Sequence, residues 1–165
     1  MVGGREDEYM DVLKSKIAKA GYEQYFRIIM ETSEVEQYYL AADVFVCSSY
    51  IESYPRVILE AMNYELPIIT TAVFGIKEQV IEGVNGEFYN AGNIGILADK
   101  LFKFHRSEEL RTKYANNAYY MLRLINSYDE MVDKYHNITM GMYLSKYKEN
   151  NSLKALNSGQ NVNQA

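Results

Sequence analysis

Residues 41–62 read Ala41-Ala42-Asp43-Val44-Phe45-Val46-Cys47-Ser48-Ser49-Tyr50-Ile51-Glu52-Ser53-Tyr54-Pro55-Arg56-Val57-Ile58-Leu59-Glu60-Ala61-Met62. This stretch decides the fold. Val44 to Ser48 is a continuous apolar run rather than an alternating one, the pattern of a central parallel strand covered on both faces. Pro55 suits the first turn of a helix, because its φ is already fixed and its missing N–H would be unbonded there anyway. A helix is therefore expected over 55–64. Strand, polar loop and helix in that order place the loop at the carboxyl end of a sheet, where open α/β sheets bind ligands. The helix start offers unpaired N–H groups and a positive dipole end, which suit a phosphate or diphosphate. Glu60 falls within the helix and Glu52 just before it, so two carboxylates can approach one ligand from different sides. Carboxylates accept hydrogen bonds from sugar hydroxyls, and the combination suits a sugar nucleotide. Spacing alone suits two solvated glutamates equally well.

Outward from this stretch, strands and helices alternate. Met10, Leu13, Ile17 and Ala20 mark one face of a first helix, which Gly21 stops. Tyr25 to Met30 reads as a short strand. Ser33 stands three residues before Glu36, the spacing of a capping box, and predicts a helix over 34–41. Downstream, Pro67 to Thr71 reads as a buried strand, Lys77 to Ile81 as a short helix, and Glu87 to Tyr89 as a strand after Gly83 and Gly86. From Asn93 the pattern is helical only, over 94–104, 107–124 and 128–147, with Ser107 and Ser127 as caps. The fold class is α/β, a Rossmann-like parallel sheet flanked by helices, with further helices at the C-terminal end. Residues 1–148 are expected to form one domain, and the Asn-rich stretch 149–165 carries too little apolar content to stay packed.

The 165 residues suffice for one domain and a sizeable core. With 17 Lys and Arg against 22 Asp and Glu, the net charge of -5 offers no general attraction to nucleic acid or anionic lipid. No stretch approaches a membrane span. The single cysteine, Cys47, lies in an apolar run and fits a reducing cytoplasm. His105 and His136 match no metal-ligand spacing. The 16 tyrosines fall largely on helices, where half-buried rings pack.

The segment Glu52 to Glu60 resembles the E-x7-E motif of retaining GT-B glycosyltransferases of the family 4 type, where it lies in the donor-binding C-terminal domain. The likeness extends upstream through Ala41 to Ser49. Downstream it takes in Leu59-Glu60-Ala61-Met62, Leu66-Pro67-Ile68-Ile69, Gly75-Ile76-Lys77-Glu78 and Gly83-Val84-Asn85-Gly86, and overall it covers about Val2 to Lys148. The resemblance implies that Glu60 binds the ribose hydroxyls of a nucleotide-sugar donor. It places Glu52 near the donor sugar or its phosphate, and backbone N–H groups around Ser53, Tyr54 and Arg56 on the diphosphate. Phe74 and Gly75 lie where the family's loop approaches the sugar, followed by Glu78, which also suits the start of its own helix electrostatically. No metal or other cofactor is implied.

Three departures from the family pattern matter. Glu65 stands where the family has a Gly, and is expected to adopt a left-handed conformation. Phe74 stands in place of another Gly, where its ring would crowd the sugar. Met1-Val2-Gly3-Gly4 resembles the end of a strand lying after the family's first strand and its diphosphate-binding Arg and Lys; Arg56 and Lys77 do not occupy the matching places. The resemblance thus puts the first strand, both basic residues and the acceptor-binding domain outside this sequence. The chain is expected to be a nucleotide-sugar-binding half that carries no catalytic residue, transfers no sugar alone and binds its donor weakly. Its expected partners are a separate acceptor domain or a second copy of itself. The rival reading is a catalytically silent binding module of the same fold. A receiver-type doubly wound domain is disfavoured, since no early acidic cluster or Gly-rich phosphate loop occurs.

Overall fold

The computed structural model describes residues 1–125 and 127–159, with side chains through Lys148. Among the described residues five short strands, β1 (Val2–Gly4), β2 (Ile29–Met30), β3 (Phe45–Cys47), β4 (Ile68–Thr71) and β5 (Gly86–Tyr89), are all paired in parallel. Between and after them run α1 (Glu8–Ala20), α2 (Glu36–Leu40), α3 (Arg56–Asn63), α4 (Ile76–Gln79), α5 (Ile94–His105), α6 (Glu108–Arg123) and α7 (Tyr128–Gly159). The expected α/β class is what forms: parallel sheets flanked by helices, with helices alone after β5.

The strands form two sheets, β1-β2 and β3-β4-β5. Here the run at Val44–Ser48 differs from expectation. β3 is an edge strand of its sheet and Val46 is exposed, whereas all four residues of β4 are buried. The continuous apolar pattern marks a strand whose second ladder is empty among the described residues. β4 is the true centre, with Ile68 facing one core alongside Ile58, Ala61 and Met62 of α3, and Ile69 facing the other with Tyr89, Phe104 and Tyr114.

Local chemistry accounts for most boundaries. Asp7 caps α1 by accepting from the Met10 N–H, and Gly21 ends it at φ 70°. Ser107 and Ser127 cap as expected, accepting from the N–H groups of Leu110 and Glu130; Glu130 reaches back to the Ser127 N–H at 2.7 Å, completing a capping box. The box expected at Ser33 does not form. Thr32 Oγ1 accepts from the Glu34 N–H and Glu34 accepts from Gln37, so the helix shortens to Glu36–Leu40 with Val35 as an N-cap that makes no side-chain bond. The strand expected over 25–30 is confined to Ile29–Met30, because Glu23–Tyr25 closes into a 3-10 turn instead. Pro55 is the N-cap of α3 rather than its first residue.

Glu65 does adopt the left-handed conformation, at φ 53°. Its N–H donates to the Met62 C=O and the Leu66 N–H to the Ala61 C=O, the paired bonds of a Schellman ending. Glu65→Gly is expected to stabilise the protein by roughly 1 kcal/mol, read as a rise of about 2–4 °C in thermal unfolding. An unchanged Tm would show that the turn carries no strain.

The chain divides into two compact units, Met1–Leu122 and a second beginning at Arg123. The sequence reading drew its boundary later, at Lys148. The backbone of α7 continues past Lys148 to Gly159, through the first part of the stretch expected to stay unpacked. Residues 160–165 of that stretch lie outside the described residues. No helix among the described residues is long and apolar enough to cross a membrane.

Candidate functional site

The carboxyl ends of the strands carry the polar residues. β3 ends at Cys47, and the loop from Ser48 to Pro55 is tied down at three points. Thr71 Oγ1, at the end of β4, donates to the Ser49 carbonyl at 2.5 Å, and Ser49 Oγ donates to Glu52 Oε1 at 2.8 Å. Gln79 Nε2, buried on α4, donates to the Pro55 carbonyl at 3.1 Å. Asn85 braces Gln79 in turn, donating to its carbonyl while accepting from the Ile81 N–H. Among the described residues no side chain caps α3; the Ile58 N–H donates to the Pro55 carbonyl at 3.3 Å, which leaves those of Arg56 and Val57 to meet a ligand.

Glu60 sits one turn into α3. Its Oε2 accepts from the Tyr39 hydroxyl at 3.0 Å, and its Oε1 lies 3.7 Å from the Arg56 guanidinium. The two contacts are unequal. Arg56 is almost wholly exposed, and such pairs contribute little. Tyr39 is buried and stacked on Tyr64, ring centroids 5.3 Å apart and planes within 3°. Burial, reinforced by the bond to Glu60, raises the Tyr39 pKa and keeps its phenol protonated as a donor. One carboxylate oxygen thus has a buried donor, while the other meets an exposed guanidinium at 3.7 Å, a weak pair that a ligand hydroxyl can displace.

The expected site residues fall into groups. Glu60 and Ser48–Ser49 line one groove with Gly3, Glu31 and Thr32, at the carboxyl ends of β3, β1 and β2. Glu52 does not line that groove; it turns to Ser49 within its own loop. Ser53 and Tyr54 are exposed, and the Ser53 carbonyl packs directly against Gly75, the N-cap of α4. Phe74 is exposed and left-handed at φ 38°, a conformation a bulky residue rarely adopts. Glu78 is exposed in the first turn of α4. Tyr39, Gln79 and Asn85 were not singled out from sequence. Tyr39 reads as one packing aromatic among many, and its partner lies 21 residues away. Among the described residues no three His, Cys, Asp or Glu side chains group as metal ligands.

Parallel sheets flanked by helices, with polar loops gathered at the strands' carboxyl ends, make this a lobe of the GT-B glycosyltransferase kind. The chain belongs to the glycosyl transferases group 1 family, whose model matches residues 1–121. Among curated relatives, the capsular polysaccharide biosynthesis glycosyltransferase CapM of Staphylococcus aureus is 31% identical over 90 residues, covering 54% of this chain and 24% of CapM. The amylovoran biosynthesis glycosyltransferase AmsD of Erwinia amylovora is 27% identical over 121 residues, covering 72% of this chain and 33% of AmsD. The crystal structure of Anabaena HepE in complex with UDP-glucose superposes with TM-score 0.67 at 26% identity, covering 71% of this chain and 32% of HepE. Sucrose-phosphate synthase of Thermosynechococcus elongatus shares the fold, with TM-score 0.75 at 16% identity over 87% of this chain and 37% of that one. The chain thus spans about a quarter to a third of the length of these curated relatives.

Proposed function

We propose that this chain is the nucleotide-sugar-binding half of a retaining, cytoplasmic glycosyltransferase, which transfers sugar only together with an acceptor-binding half. The observation that carries this reading is the Glu60 carboxylate, anchored through one oxygen by buried Tyr39 and opening on a groove at the strands' carboxyl ends. The UDP-glucose held by HepE, whose sequence is 26% identical, supports a donor of that class.

In this reading the free side of Glu60 accepts from both ribose hydroxyls, with Tyr39 preventing the carboxylate from turning away. The uncapped start of α3 and the N–H groups of Ser53 and Tyr54 meet the diphosphate. Glu52, Phe74, Gly75 and Glu78 border the donor sugar. No metal or other cofactor takes part. The rival reading, a silent binding module, draws on Phe74, whose ring is exposed and which, by the resemblance, replaces a Gly of the loop that approaches the sugar. Turnover on reconstitution with an acceptor half separates the two.

Titration calorimetry with UDP-, GDP- and ADP-glucose on the wild type and on Glu60→Ala tests the donor site. One nucleotide is expected to bind, and Glu60→Ala to weaken it about ten- to a hundredfold, the size of lost hydrogen bonds to a charged group. Equal affinities for the two proteins, or no heat with any nucleotide, would remove the site.

A further inference from the structure

A nucleotide with its ribose on Glu60 has a direction in the groove. Its diphosphate would meet the N–H groups of Arg56 and Val57 at the start of α3, on the side of the Ser48–Pro55 loop. The base then extends the other way, across the groove of about 670 Å3, a volume within the usual range of ligand sites. Glu31 and Thr32 line that groove too, and they belong to the other sheet, directly after β2.

The backbone there is tied down while the side chains keep bonding capacity. The Glu31 N–H donates to the Gly4 carbonyl at 3.0 Å, which fixes the loop to the end of β1. The Glu31 carboxylate lies 3.6 Å from the Arg5 guanidinium, and the two side chains are 75% and 77% exposed, so this pair is weak and easily displaced. Thr32 Oγ1 accepts from the Glu34 N–H at 3.1 Å, so its own proton is left to give. Two carboxylate oxygens and one hydroxyl proton thus line the groove from adjacent residues: two acceptors and a donor.

Nucleobases differ in what they offer to such a set. Guanine carries two neighbouring donors, N1–H and the 2-amino group, followed by the O6 acceptor. Adenine sets the N1 acceptor beside its 6-amino donor, and uracil flanks N3–H with two carbonyl oxygens. Either would press a lone pair against a carboxylate oxygen, and a polar group left unpaired in this way is what separates one substrate from another. We propose that Glu31 selects the base: its carboxylate accepts from guanine N1–H and the 2-amino group together while Thr32 donates to O6, so that the donor is a guanosine diphosphate sugar. The proposal rests on the donor-site reading of Glu60 and adds the base to it. Paired donors on one carboxylate are among the stronger hydrogen bonds, which suits a residue that must outcompete water on an exposed wall.

Titration calorimetry of the full chain with GDP, IDP, ADP and UDP tests the assignment, on the wild type, Glu31→Gln and Glu60→Ala. IDP is GDP without the 2-amino group, with N1–H and O6 intact. The wild type is expected to bind GDP at least about tenfold more tightly than IDP, the size of one hydrogen bond to a charged group, and to bind ADP and UDP more weakly than GDP. Glu31→Gln is expected to shrink the ratio of GDP to IDP affinity to about twofold or less and to leave ADP unchanged. Glu60→Ala should weaken all four by one common factor, because all four carry the same ribose. A wild type that prefers ADP or UDP overturns the choice of base and leaves the donor site standing. A ratio of GDP to IDP that Glu31→Gln does not move does the same, as does an equal loss of all four in that variant, which would make Glu31 a structural residue only. No heat with any of the four overturns the donor site and this proposal together.

Discussion

Gly75→Ala is expected to destabilise the protein by about 3 kcal/mol, the upper end of ordinary overpacking, and to drive the Ser53–Tyr54 loop away from α4. A Cβ built on Gly75 would lie 1.5 Å from the Ser53 carbonyl oxygen and 2.7 Å from its carbon. Both neighbours are backbone, so no side-chain rotation relieves the clash. The φ of Gly75 is -68°, open to any residue, which shows that close approach and not conformation reserves the position for glycine. Thermal unfolding should fall by roughly 6–12 °C, and the donor affinity should fall with it. Gly95→Ala in α5 is the control, because its Cβ meets nothing closer than Asn93 Oδ1 at 3.6 Å, an ordinary contact. Matching Tm values for Gly75→Ala and wild type, with unshifted backbone resonances at Ser53 and Tyr54, would contradict the packing of this loop.

What the sequence disclosed about this region and what it concealed follow from the range of the interactions. The helix that follows Pro55 and the caps at Ser107 and Ser127 depend on residues within a turn of one another, the Ile68–Thr71 strand shows as a short apolar run, and the left-handed Glu65 follows from the resemblance to a family with Gly at that place. Each was legible. Ser33 shows the limit even there: the spacing of a capping box was present, but Thr32 reached the Glu34 N–H and the helix started later. Long-range pairs leave no periodic trace. Tyr39 holds Glu60 across 21 residues, and Thr71 holds the Ser49 carbonyl across 22. Glu52 and Glu60, paired by their spacing, take different partners in space, Ser49 for one and Tyr39 with Arg56 for the other. The edge position of β3 was hidden for another reason. Its apolar run has the pattern of a strand covered on both faces, yet Val46 is exposed, and only the fold shows that its second ladder is open among the described residues.

Glu87→Gln is expected to destabilise the protein by roughly 3 kcal/mol at neutral pH, because it strips a partly buried ionic cluster of its buried carboxylate. Glu87, on β5, is only 4% exposed. It accepts from Lys100 and Lys103 of α5, each at 2.5 Å, and from the Tyr114 hydroxyl of α6. Glu82 supplies Lys100 with a second partner at 2.9 Å. Burial alone would raise the Glu87 pKa, but the hydrogen bonds from Lys100, Lys103 and Tyr114 outweigh it and lower the group to about 2. A depressed carboxylate stabilises the fold above its unfolded pKa, and that contribution drains away as pH falls through the folded value. The wild type should therefore lose this stability from about pH 4.5 down to about 2, as urea unfolding at successive pH values would read. In Glu87→Gln that acid-labile component should be missing, so the two proteins converge at low pH and differ by a constant amount between about pH 6 and 8. Lys100 behaves oppositely. Burial lowers its pKa, yet the bonds to Glu82 and Glu87 raise it overall, so its share is lost only in strong alkali. The double substitution Glu87→Leu with Lys100→Met should recover part of the loss, since an unpaired buried charge is worse than an apolar pair of similar volume. A gap between wild type and Glu87→Gln that did not shrink in acid would show that Glu87 acts through packing and not through its charge.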